Sequence, residues 1–198
     1  MTRIFLAAML GGIAMFIWTS FAHMALPLGE AGIGEIPNEK AVLDAMQSNI
    51  GEQSGLYVFP GFGLGPNPTH EAKSEAMKQM GENLATKPTG ILVYHPVGSR
   101  PLMMVRWLAV EFATELAEAF LVLFLLSKTR LTSYGARVGF VVLAGVLVAI
   151  GTNISYWNWY GFPAVYTASY MLIQIVGFLC LGLVSGLVLK PRAASDSR

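Results

Sequence analysis

Cysteine is almost missing from this 198-residue chain: the single one, Cys180, lies inside an apolar run. That excludes an intrachain disulfide and any cysteine-rich zinc or iron–sulfur site. Charge is scarce as well. Asp, Glu, Lys and Arg make up 13% of the residues, against roughly 25% in a soluble domain. The formal net charge is only +1, so no global field marks nucleic acid as a partner. No complete catalytic motif is present. The glycine-rich Gly61-Phe-Gly-Leu-Gly65 has no lysine and precedes a proline turn, so it reads as a flexible loop and not a phosphate cradle. No His-Glu-x-x-His spacing or other metal-ligand pattern occurs among the three histidines.

What the chain does have is apolar length. Apolar residues reach 54% and concentrate in four runs: Ile4 to Ala25, Leu102 to Leu126, Val138 to Asn153, and Ala164 to Leu189. A run of about 20 residues crosses the ~30 Å hydrocarbon core as a helix. Lipid offers the backbone no hydrogen bonds, so such segments must be helical. The third run is the shortest and has to extend back to Tyr134 or on through Ile154 to span. The first run competes with a cleaved signal peptide. Its apolar stretch contains Phe16 and Trp18, and His23 and Met24 interrupt the candidate cleavage sites. An uncleaved anchor is therefore expected.

The predicted fold class is a membrane all-α bundle of four transmembrane helices, with a small α/β extracytoplasmic insert between helices 1 and 2. The expected organisation is helix 1 at 1–26, insert at 27–101, helix 2 at 102–127 and cytoplasmic loop at 128–137. Helix 3 at 138–155, an outer aromatic turn at 156–163, helix 4 at 164–189 and a cytoplasmic tail at 190–198 complete it. With four crossings, Arg3, Lys128, Arg130, Arg137, Lys190, Arg192 and Arg198 share one side, while the 27–100 segment nets −3. The positive-inside rule then places both termini in the cytoplasm and the insert outside, in a bacterial inner membrane. Tyr156, Trp157, Trp159, Tyr160 and Phe162 suit the headgroup layer of the outer turn.

Within the insert, Asn38 is expected to cap a helix carrying Val42, Leu43, Met46 and Ile50, and Thr69 to cap a second, polar helix. Gly55–Phe59 and Gly90–His95 read as strands. A helix between two strands suggests a right-handed crossover unit. Two strands alone are marginal, so the insert should lean on membrane helices or another protein.

The sharpest chemical feature is in helix 2. Glu111, Glu115 and Glu118 share one helical face. An ionised carboxylate at the depth of Glu115 costs about 3 kcal/mol or more, so it needs a partner, a proton or water. Arg106 near the outer end of the same helix, Asn153 on the third, and Thr167, Ser169, Tyr170 and Gln174 on the fourth are the candidate partners. The sequence leaves Glu115 either protonated or paired through another subunit, and a structural carboxyl is the plain alternative. His23 is a candidate axial ligand for haem or chlorophyll, and His23 with His95 and Glu35 or Glu39 a candidate metal site. No cofactor follows from the sequence by itself. Ala7/Gly11, Ala8/Gly12, Gly135/Gly139 and Gly182/Gly186 are four-residue small pairs that permit close helix approach.

Pro37-Asn-Glu39, Ser54-Gly-Leu-Tyr57 with Pro60, Tyr94-His-Pro96 and Tyr156-Trp-Asn-Trp-Tyr-Gly-Phe-Pro163 resemble segments of a group of small four-helix bacterial inner-membrane proteins with an outer insert. The resemblance spans almost the whole chain. It implies the topology above and carries no catalytic residue over. The functional expectation is a non-catalytic accessory or assembly subunit of a larger inner-membrane complex, an energy-transducing one among the candidates. Its partners would be the bilayer and other membrane subunits or further copies of the chain. The alternatives are a small transporter or proton-conducting protein using the glutamate face, and a membrane-bound enzyme or sensor built on the histidines.

Overall fold

The computed structural model describes residues 2–189. Lys190, Arg192 and Arg198, part of the expected cytoplasmic charge, lie outside the described residues. Six helices and two strands follow one another as α1 (Thr2–Met24), α2 (Glu39–Ile50), β1 (Gly55–Phe59), α3 (His70–Thr86), β2 (Gly90–Tyr94), α4 (Met104–Ser127), α5 (Tyr134–Tyr160) and α6 (Ala164–Val188). They form two compact units, one of residues 2–33 and 103–189 and one of residues 34–102.

Three helices, α1, α5 and α6, are long and apolar enough to cross a membrane. Their outward faces are apolar too: Phe5, Ile17, Leu143, Leu147 and Leu187 are 60%, 62%, 68%, 72% and 75% exposed. A soluble protein rarely leaves so much contiguous apolar surface to water. The chain thus has the character of a helical membrane protein. The expected fourth span does not meet the same standard. Helix α4 matches the others in length, but Arg106, Glu111, Glu115 and Glu118 interrupt its apolar run.

In the helical unit, α1 is central and packs on both α4 and α6, while α5 packs mainly on α6. Ala7, Ala8, Gly11 and Gly12 of α1 are buried. A Cβ at Gly11 would collide with Leu181 of α6, and one at Gly12 would lie 2.7 Å from Leu116 of α4. Small residues here let three backbones converge, with Leu123, Val141, Phe178 and Leu181 closing the core around them. Gly182 and Gly186 meet α5 in the same way. The Gly135/Gly139 pair differs from expectation and faces open space.

Helix α5 is longer than its apolar run, extending at both ends. Ser133 caps its start, its hydroxyl accepting the Ala136 N–H at 3.2 Å. Gly161, in the left-handed conformation, ends it just before Pro163. The aromatic segment expected as an outer turn is therefore mostly helical: Tyr156 to Tyr160 form the last turns of α5, and only 161–163 connect to α6.

Arg137 lies in the first turns of α5 and is 8% exposed. Its Nε donates to the Leu131 carbonyl at 3.0 Å, and its Nη1 donates to the Leu189 carbonyl past the end of α6. It thereby satisfies a carbonyl that the helix leaves free. Arg137→Ala is expected to lower stability by about 3 kcal/mol, because a buried charged hydrogen-bond donor set is lost. Arg137→Lys should recover only part of that loss. Chemical unfolding in detergent, followed by circular dichroism, measures both.

In the second unit, β1 and β2 pair antiparallel, with Gly55 opposite Tyr94 and Phe59 opposite Gly90. This corrects the expected crossover, which requires parallel strands. The 17-residue α3 carries the chain ~25 Å within the connection, and β2 starts at Gly90 opposite Phe59, the end of β1. Thr69 caps α3 as expected, accepting the Ala72 N–H at 3.1 Å. Asn38 does not act as its counterpart. It sits at the N-cap with φ 55° and no side-chain capping bond.

Candidate functional site: a carboxylate-lined cleft

Past Gly12, the residues of α1 grow. Met15, Phe16 and Trp18 replace alanine and glycine as contacts. Phe16 meets Phe112 of α4 edge to face, with ring centroids 5.1 Å apart. On the α6 side, the Trp18 indole donates to the Ile173 carbonyl at 2.9 Å. These large side chains tie α1 to both neighbours while α4 and α6 stay apart. The result is a cleft of about 500 Å³ lined by α1, α4 and α6.

All three glutamates of the α4 face line this cleft, as their spacing predicts. Their settings differ. Glu111 is exposed, Glu118 half-buried, and Glu115 only 3% exposed. Thr19 of α1 is the side-chain hydrogen-bond neighbour of the Glu115 carboxyl. Its second oxygen, Oε2, is fully buried and has no partner among the described residues. A buried acceptor left without a partner is uncommon and needs an explanation.

The opposite wall carries Tyr170 and Gln174, one turn apart on α6. Asn153 of α5 stands behind Gln174, donating to its Oε1 at 2.8 Å and to the Ala149 carbonyl at 2.9 Å. Asn153 is thus a supporting residue for the wall and not a partner of Glu115. Thr167 and Ser169 are buried on α6 but do not line the cleft. Arg106 stays near the start of α4, with Nη1 4.0 Å from the Met103 sulfur.

His23 stands at the mouth. Its Nδ1 is 2.9 Å from the Thr19 carbonyl. A carbonyl only accepts, so Nδ1 carries a proton and donates it here. The ring lies edge-on to Tyr170 at 5.6 Å, and Tyr170 stacks on Tyr166 at 4.3 Å. The chain after α1 folds back closely here. A Cβ at Gly29 would lie 2.8 Å from His23 Cδ2, a space that only glycine leaves. His95 belongs to the other compact unit, at the end of β2. Among the described residues, no group of three or more His, Cys, Asp or Glu is placed to hold a metal ion.

No protein-family model, curated protein or solved structure matches this chain. The site is therefore read from its own chemistry. Sequence spacing alone located the glutamate face. The roles of Thr19, Trp18 and Phe16 depend on which faces of α1 meet which helices, and a helix whose few polar residues do not gather on one face gives no signal of that.

Proposed function

We propose that this chain is a small transport or proton-coupling membrane protein whose working site is the Glu111/Glu115/Glu118 cleft. The observation that carries the reading is Glu115, 3% exposed with Oε2 unpartnered, lining a cavity large enough for a ligand. An intramembrane carboxyl is costly unless a proton, ion or substrate meets it. In this reading α4 crosses the membrane as the fourth span, its charged face turned to the cleft instead of the lipid. Both termini lie in the cytoplasm of a bacterial inner membrane and residues 27–101 lie outside, from the distribution of lysines and arginines. The cleft then opens outward, and the apolar core of Leu123, Val141, Phe178 and Leu181 seals its inner end. Reconstituted vesicles with an internal pH dye test the reading. Wild type should move protons under a gradient, and Glu115→Gln should reduce that flux at least tenfold at unchanged protein level. Equal flux in the two would remove it.

The accessory-subunit reading has its own support in the insert. Leu56, Val58 and Val93 are 63%, 51% and 62% exposed, and register puts Leu56 opposite Val93 on the same face as Val58. A bare apolar face on a two-stranded sheet suits docking on another protein. Gentle extraction of the tagged chain should then bring down stoichiometric membrane partners. An insert that folds stably by itself would count against this reading.

A further inference from the structure

The lining of the cleft is chemically one-sided. It presents three carboxylates and one imidazole, and no lysine or arginine. The same lining carries Phe16, Trp107 and Tyr170, with the thioethers of Met15 and Met24. Its volume of about 500 Å³ falls within the ~300–1,000 Å³ of pockets that hold small organic molecules. An anion would meet repulsion from all three glutamates. A bare metal ion would find too few ligands placed together among the described residues. A cation with an apolar body matches both halves of the lining. Its charge answers the Glu115 carboxyl, whose Oε2 has no partner among the described residues, and its body suits aromatic side chains, which attract cations.

We propose that the cleft binds a monovalent amphipathic organic cation, a lipophilic quaternary or protonated amine being the fitting class. The charge is held at Glu115 and the apolar part against Phe16 and Trp107. The inference rests on the carboxylate-site reading above and names the ligand of that site. Glu111 and Glu118 on α4 add to the attraction, while His23 on α1 and Tyr170 on α6 are the other titratable groups facing it.

The test uses the purified full-length protein in detergent and tetraphenylphosphonium as the probe, by isothermal titration calorimetry. Saturable binding at one site per chain is expected. Glu115→Gln should weaken it at least tenfold, Glu115→Asp by clearly less because the charge remains, and Phe16→Ala by about threefold to tenfold. Absence of saturable binding in wild type overturns the proposal. So does equal loss in Glu115→Asp and Glu115→Gln, or unchanged affinity in Glu115→Gln. Infrared spectroscopy of the same samples separates the two readings. A Glu115 carboxyl band that responds to pH without any probe binding removes the organic cation and leaves the proton site. A silent band with no binding removes both.

Discussion

Gly145→Ala, the addition of one methyl group, is expected to destabilise the helical unit by about 3 kcal/mol, at the upper end of overpacking costs. A Cβ at Gly145 would lie 2.5 Å from Phe178 Cβ and 2.6 Å from its Cγ. These atoms are rooted at the backbone of α6, so the clash cannot be relieved by swinging a ring tip. Either α5 and α6 separate or Phe178, which is 2% exposed, leaves its place in the core. The same substitution at Gly139 should do the opposite. Nothing lies within 4 Å of a Cβ there, and alanine is favoured over glycine inside a helix by about 1 kcal/mol. Two substitutions on one helix, identical in chemistry, should therefore shift the unfolding midpoint in opposite directions. Equal shifts would mean that α5 and α6 do not pack as described.

Glu115→Leu is expected to raise stability by about 1–3 kcal/mol while abolishing whatever the cleft does. The gain comes from removing a buried acceptor that has no partner, together with the cost of holding a carboxyl out of water. Leucine is of similar size and adds apolar contact with Phe16 and Leu108, which line the same cleft. Replacement of buried polar groups by apolar ones of like volume is often stabilising. Unfolding midpoints in detergent measure the first effect, and proton flux or probe binding the second. A large loss of stability would show that Glu115 holds the helices together. That is the structural-carboxyl alternative which its sequence setting leaves open.

The long elements were legible because their signals are local. The apolar runs predict α1, α5 and α6, and the i, i+4, i+7 spacing of Glu111, Glu115 and Glu118 predicts a shared face; all three line one cleft. Thr69 and the two strands were readable for the same reason. What failed depended on distant parts of the chain. Strand direction turned on how the whole 60–89 connection returns to the end of β1, which no single residue type encodes. Asn38 has the side chain of a cap, yet its left-handed backbone leaves that side chain without a capping bond. Hydropathy also ended helix α5 early, because Asn153, Tyr156 and Asn158 look polar in a window average. Asn153 in fact finds Gln174 at 2.8 Å, so its polarity is satisfied inside the bundle. Arg137 reads as one more inside charge, although its guanidinium is a clamp on the end of α6.

The connection between α5 and α6 has a consequence for biosynthesis. Only residues 161–163 separate two helices of 27 and 25 residues, so the two form a tight hairpin. Asn153 and Gln174 satisfy each other across that hairpin, so neither polar side chain need face hydrocarbon alone if both helices leave the translocon together. The pair is therefore expected to insert as one unit. Lengthening 161–163 with a flexible spacer should leave the finished fold intact and instead show its effect during synthesis, as slower or incomplete membrane integration.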